Sequence, residues 1–242
     1  MGGMEKLIKI FSPEGRIHQI EHAFKAVEVS GMTSIAVRGK DSVVVCSQRK
    51  VPDKLIVADS VTNIFRVSEG IGAVMVGNMN DARTVLAQLQ NEASEFRFKF
   101  FYEIPTRVLA QRMGSILQKY SQYAYIRPLC VTVTLVGCDE EAGPQVFKVD
   151  PAGNAIGYKA IAAGAKEQEA ITQLEKHFKK NGGDTDEKET IITAIKTLNS
   201  VISSDFKASD IEVGIATTQQ PLFRKLEESR VEELLNEMND ML

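Results

Sequence analysis

The sequence predicts an α+β fold, a four-layer αββα sandwich of two antiparallel sheets packed face to face with helices on both outer sides. Three observations predict it. Strand-like and helix-like segments come in separate runs (strands, two helices, strands, two helices, strand, helix) rather than alternating singly as in a doubly wound fold. The early strands come in pairs joined by short turns, the signal of antiparallel hairpins. The chain has 242 residues, 43% of them apolar, enough for one core that buries two sheets and two helical layers. No internal repeat or low-complexity linker divides it, so residues 1–242 read as a single domain.

The elements follow in order. Residues 1–10 form an extended arm, and Phe11-Ser12-Pro13-Glu14-Gly15 is a turn, because Pro presets φ and Gly permits φ > 0. Ile17 to Val29 is an amphipathic helix, with Ile17, Ile20, Phe24 and Val27 at helical spacing. The period then drops to two. Thr33–Val37 and Val43–Cys46 flank Gly39-Lys40-Asp41, and Thr62–Val67 and Ile71–Val76 flank Ser68-Glu69-Gly70. A helix over about Asn80–Phe98 follows, marked by Ala82, Val85, Leu89 and Ala93. The next starts at Pro105-Thr106, with Pro in a first-turn position where a missing N–H costs nothing. Val131–Val136 and Gln145–Val149 are strands, the latter running into the turn Asp150-Pro151-Ala152-Gly153-Asn154. Helices over Glu167–Lys179 and Glu187–Ile202 are separated by a loop at Lys180–Asp184. Ile211–Ala216 is the last core strand, and a helix from Val231 closes the chain, with Ser229 and Glu232 spaced as a capping box.

Composition excludes several classes. The 29 basic and 32 acidic residues leave a net charge of −3, which supplies no global field for nucleic acid or an anionic membrane. Cys46, Cys130 and Cys138 form no CxxC pair, and Cys46 and Cys130 sit in apolar runs, so they read as reduced core thiols. His18, His22 and His177 have no metal-ligand spacing, so no metal and no cofactor is expected. The first residues lack the apolar core of a signal peptide, and no run of 18 apolar residues exists. Met1-Gly2 superficially suggests myristoylation, but Lys6 stands where the motif wants Ser or Thr. No GxSxG elbow occurs, and Gly70-x-Gly72 precedes a strand, not a helix, so it is no phosphate loop. The acids of Asp139-Glu140-Glu141 and Glu227-Glu228 read as solvated loops. Lys176, Lys179 and Lys180 read as an exposed helix end, with a nuclear-localisation patch as the alternative.

The segment Phe11-Ser12-Pro13-Glu14-Gly15-Arg16-Ile17-His18-Gln19-Ile20-Glu21-His22-Ala23 closely resembles the N-terminal signature of alpha-type subunits of the 20S proteasome. Further blocks resemble the same family in family order: Lys50–Leu55, Asn80–Arg83, Arg127–Leu129 and Asp150–Gly153. Arg38–Asp41, Val51–Lys54, Asp139–Val146 and Phe206–Gly214 resemble the alpha type six member in particular. The resemblance implies the Ntn-hydrolase version of the αββα sandwich, in agreement with the periodicity. It also implies a place in the seven-membered outer ring, contacts with neighbouring alpha and beta-ring subunits and with proteasome activators or the regulatory particle, and residence in cytoplasm and nucleus. It implies no nucleic-acid or membrane partner. Within the signature, Phe11, Ser12, Pro13, Gly15, Arg16, Gln19, Glu21 and His22 are the expected gate and ring residues.

Catalytic beta-type members of this superfamily use an N-terminal threonine freed by self-cleavage, with nearby Lys and Asp managing the proton. By the strand pattern, Met32 stands at the nucleophile position just before Thr33, Gln48 near the Asp position and Asn63 near the Lys position. The 31 residues before Met32 carry the alpha signature and are no disposable propeptide. No catalytic residue is therefore expected, and the function implied is a non-catalytic structural and gating subunit in ubiquitin-dependent protein breakdown. An active threonine endopeptidase and a stand-alone binding module are the rival readings. Two departures from the family pattern stand out. Met4-Glu5-Lys6 and His22 replace the usual Tyr-Asp-Arg and Tyr of the gate cluster, leaving an arm tip (Met1 to Gly3) expected to add few contacts across the pore. Asn63, with Gly77 beside it, replaces the lysine of a pocket that grips an activator's C-terminal carboxylate.

Overall fold

The computed structural model describes residues 11–123, 125–202 and 207–240. The expected arm over residues 1–10, with Met4, Glu5 and Lys6, lies outside the described residues, as does Phe206. Helix α1 (His18–Val29) is followed by two hairpins: β1 (Thr33–Arg38) with β2 (Ser42–Gln48), and β3 (Ile64–Arg66) with β4 (Ile71–Gly77). Then come α2 (Met79–Phe100), α3 (Thr106–Gln122), β5 (Val131–Asp139), β6 (Gly143–Val149), β7 (Ala155–Gly157) and β8 (Ala160–Gly164). The chain continues through α4 (Glu167–Asn181), α5 (Glu187–Ile202), β9 (Ile211–Thr217), β10 (Arg224–Lys225) and α6 (Glu228–Asp240).

Each hairpin seeds a different sheet. One five-stranded sheet has the order β10-β9-β2-β1-β8, the other β3-β4-β5-β6-β7, and every pairing is antiparallel. Burial follows the two-residue period. Val43 and Val45 of β2 face Val74, Val136 and Val146 between the sheets, whereas Val44 and Cys46 face outward under α4, α5 and α6 with Leu174, Ile195 and Leu198. Because both faces are covered, Val43-Val44-Val45-Cys46 reads as a continuous apolar run. The other sheet turns Met75, Val133 and Leu135 outward onto Val85, Leu89, Leu109 and Met113 of α2 and α3. The four layers are those expected.

Three short strands were not expected: β7, β8 and β10. The run Ala160-Ile161-Ala162-Ala163-Gly164 lacks the β-branched residues that mark strands. It is a strand because β1 offers it a full antiparallel register, Thr33 opposite Gly164 through Val37 opposite Ala160. Phe223, which leads into β10, is buried between the sheets. A Cβ on Gly72 would come within 2.2 Å of its ring and one on Gly214 within 2.5 Å, so these strand positions admit glycine alone.

Helix ends depart from the sequence reading where tertiary partners intervene. Asn78 caps α2 by accepting from Asn80 N–H (2.9 Å) and Asp81 N–H (3.3 Å). Pro105 lies just before α3 as its cap residue, not within its first turn. Asp139 is half-buried and serves that helix: its carboxylate accepts from Thr106 Oγ1 (2.7 Å) and Thr106 N–H (3.1 Å), so it is no solvated loop acid. Helix α6 begins at Glu228, which puts Ser229 and Glu232 inside it. The Glu227 carbonyl, not a serine cap, takes the first helical N–H groups from Arg230 and Val231.

Candidate functional site

The signature segment at the start of the described chain is a hydrogen-bonded turn. Ser12 N–H donates to Arg16 C=O (2.8 Å), Gly15 N–H donates to Ser12 C=O (2.8 Å), and the Ser12 hydroxyl accepts from Arg16 N–H (3.2 Å). Gly15 sits at φ 75°, which a side chain would resist. Arg16 then reaches forward to Glu21 on α1 with a bidentate pair, Nε to Oε1 at 2.6 Å and a terminal nitrogen to Oε2 at 2.8 Å. That guanidinium holds the Glu21 carboxyl below its usual range. The structure thus joins Ser12, Gly15, Arg16 and Glu21 into one clasp between turn and helix. Phe11, Pro13 and His22 are exposed, and Gln19 is half-buried.

Helix α1 rests on both sheets at once. Val27 packs with Val76 of β4 and Ala163 of β8, together with Met32. Ala23 and Val27 are its buried residues; Phe24, expected on the buried face, is 38% exposed. The helix is one side of a cleft of about 360 Å³ whose other walls include Lys148, Tyr158, Ile156 and Glu167.

Gln48 and Asn63 do meet, as the strand pattern predicts, but the residue they meet is Thr33; Met32, expected at the nucleophile position, packs instead with Val27, Val76 and Ala163. Thr33 is 1% exposed, its backbone N–H donates to Gln48 Oε1 (3.0 Å), and its Oγ1 accepts from Lys166 N–H (3.3 Å). The Gln48 carbonyl accepts from Asn63 Nδ2 (3.0 Å). Asn63 N–H and the Thr62 hydroxyl both donate to Glu212 Oε2 (3.0 Å each), and Lys225 Nζ lies 3.2 Å from Glu212 Oε1. Threonine catalysis needs a free amine and groups that move a proton. Here the nitrogen is a peptide amide, and the flanking side chains are carboxamides with no proton to exchange. Glu212 and Lys225 escaped the sequence reading because their partners are some 150 residues away in the chain. The one signal was an acid inside the apolar run Ile211-Glu212-Val213-Gly214-Ile215.

The two residues expected to line a carboxylate pocket lie close together, Asn63 just before β3 and Gly77 at the end of β4. Asn63 C=O accepts from Met75 N–H (3.0 Å), and Gly77 follows two residues on. A Cβ at Gly77 would meet Cys130 O at 2.2 Å. Asn63 is 6% exposed, and its side-chain N–H points inward at Gln48.

A second polar centre fixes the neighbouring corner. Asp81, nearly buried at the start of α2, takes a bidentate pair from Arg127 (2.6 and 2.7 Å) and Cys130 N–H (2.9 Å). The Arg127 guanidinium pulls its carboxyl below the usual range despite burial. Burial pushes the Cys46 thiol up, so that buried sulfur stays protonated and unreactive. Among the described residues, no three His, Cys, Asp or Glu side chains gather as a metal site would require, and no helix is long and apolar enough to cross a membrane.

An αββα sandwich with Met32 at the expected nucleophile position, and with the following Thr33 held as a peptide amide by Gln48, defines a class: a non-catalytic relative of the N-terminal-threonine hydrolases. Two family models match the chain, that of the proteasome subunits over residues 28–216 and that of the N-terminal signature of A-type proteasome subunits over residues 5–26. The chain belongs to the proteasome subunit family, in its alpha-type branch. It is 46% identical over 230 residues to the "Probable proteasome subunit alpha type-1" of Schizosaccharomyces pombe, covering 95% of this chain and 94% of that protein. It is 38% identical over 236 residues to the "Proteasome subunit alpha type-6" of Caenorhabditis elegans (98% and 96% covered). It is 30% identical over 226 residues to the "Proteasome subunit alpha" of Saccharolobus solfataricus (93% and 92% covered). The likeness to type six seen in the sequence is thus matched by one relative, while the fission-yeast relative, labelled type one, is more similar still.

Proposed function

We propose that this chain is a structural and gating subunit of the outer alpha ring of the proteasome core particle. The observation that carries this reading is the locked Thr33, an internal residue whose amide N–H is held by Gln48. It leaves the residue beside Gln48 and Asn63 without the free amine that threonine catalysis needs, while the sandwich stays intact. The clasp of Ser12, Arg16 and Glu21 supports the gating part, because it fixes the signature turn against α1. The partners on this reading are neighbouring alpha subunits, the beta ring and activators, in cytoplasm and nucleus.

A finer proposal concerns activators. The site at Asn63 and Gly77 takes an activator's terminal carboxylate weakly. Asn63 carries no charge, its side-chain N–H is engaged by Gln48, and the Glu212 carboxylate beside it repels an incoming anion.

Native mass measurement of the purified protein tests the main reading. A very large complex containing other proteasome subunits, in which this chain keeps all residues ahead of Thr33, is expected. A monomer of 26.7 kDa would favour the stand-alone binding module, and a chain beginning at Thr33 the peptidase.

A further inference from the structure

Contrary to the expectation from sequence, two of the histidines do carry a metal-ligand spacing. The run His18-Gln19-Ile20-Glu21-His22 places them four residues apart. Both lie within α1, His18 as its first residue. Their side chains therefore stand on one face a turn apart, with about 5–6 Å between Cβ atoms. That is the spacing with which two imidazoles of a helix chelate one ion. The family signature usually has tyrosine where His22 stands, so the pair is a feature of this chain and not of the fold.

The surroundings of His18 prepare it as a ligand. Its Nδ1 lies 3.5 Å from Glu21 Oε2, and Glu21 is itself held by the bidentate pair with Arg16. A carboxylate on that side favours the neutral ring with its proton on Nδ1 and leaves the Nε2 lone pair as the donor. Metal-binding histidines ordinarily have such an outer partner. Beyond that contact, neither imidazole has a hydrogen bond or ion pair among the described residues. His18 is 24% exposed and His22 is exposed, so an ion can reach both rings. No excess positive charge bars it. Arg16 and Glu21 cancel as a pair, and the exposed Glu14, which attracts His18, offsets the exposed Lys25, three residues after His22. Among the described residues no group of three His, Cys, Asp or Glu side chains forms. A closed structural site is thereby excluded, and the arrangement is an open chelate of two imidazoles whose remaining positions water fills.

We propose that His18 and His22 bind a divalent transition ion of the zinc class, for which imidazole nitrogen is a preferred ligand. The ion staples the first turn of α1, against which the signature turn is clasped. That turn has no cap of its own, because Ile17 at the cap position offers no side-chain hydrogen bond. The site draws on α1 alone, so it stands or falls independently of the alpha ring.

The test is calorimetric titration of zinc into the untagged full chain, stripped of metal beforehand. One equivalent should bind. His22→Tyr, which restores the usual signature residue, and His18→Asn should each weaken that binding at least tenfold. His177→Gln, on α4, should leave it unchanged. Hydrogen exchange at the amides of Ile20 and Glu21, which donate to Ile17 C=O, should slow on adding zinc to wild type and not to His22→Tyr. Zinc bound equally tightly by wild type and by the double variant His18→Asn with His22→Tyr would overturn the site. Binding that alkylation of Cys130 and Cys138 abolishes would overturn it too, by placing the ion on thiols.

Discussion

Gln48 decides the chemistry of the would-be catalytic pocket because it uses both ends of its residue. Its side-chain oxygen accepts from Thr33 N–H, and its carbonyl accepts from Asn63. Gln48→Ala should leave a buried N–H without a partner and cost about 1–3 kcal/mol, read from a denaturant midpoint with unchanged slope. Gln48→Asp combined with Asn63→Lys restores the acid and the base by type. It should still hydrolyse no fluorogenic peptide, because the Thr33 nitrogen remains an amide; turnover by the assembled variant above wild type would contradict this account. For the activator site, a charge-assisted hydrogen bond is worth about 1.5–3 kcal/mol. Asn63→Lys alone should therefore tighten binding of an activator tail peptide at this site by at least tenfold. Unchanged occupancy there would remove position 63 from the docking site.

Helix ends show how elements borrow partners from distant chain. The start of α2 is held by Arg127, 46 residues on, and the start of α3 by Asp139, 33 residues on. Removing Arg127 leaves Asp81 buried without its cation, and Arg127→Ala should cost about 2 kcal/mol, below the usual range for a broken buried pair because Arg127 is itself 60% exposed. The pH dependence has a definite sign. Asp81 has a folded pKa below its unfolded value of about 3.9, so its contribution is complete above that value and is lost as pH falls through the depressed folded one. Asp81→Asn should flatten the acid limb of a stability–pH curve below about pH 4 and leave the neutral region flat. At the other end of the chain, Pro13 sits in the clasped turn with its φ preset. Pro13→Gly frees that φ and should raise basal peptide hydrolysis by assembled particles, while leaving the melting of the folded domain nearly unchanged.

The sandwich as a whole exposes apolar side chains in two places: on α1 and at the corner between α2 and α3. Phe24 and Val29 of α1 and Phe98 and Phe101 of the corner are apolar and exposed. In the assembled particle both sets should gain protection from hydrogen–deuterium exchange at their backbones, whereas β2 and β5, already buried on both faces, should be slow in free and assembled forms alike. Exchange at residues 98–101 that is identical in the two forms would argue against a contact there.

The sequence alone determined the layers of this protein. Two-residue periods in Thr33–Val37, Val43–Cys46 and Val131–Val136, and three-to-four-residue periods in the helices, are local properties that any stretch of chain displays before it folds. The signature from Phe11 to Ala23 and the residues Met32, Gln48 and Asn63 identified the family and the missing nucleophile, since these are statements of residue type. Only the tertiary structure assigned the two hairpins to separate sheets, made strands of the alanine-rich run Ala160–Gly164, and matched Glu212 with Thr62, Asn63 and Lys225. Those outcomes depend on which distant backbone edge or charge arrives beside a residue, and that proximity is set by the packing of the four layers, which no local pattern encodes.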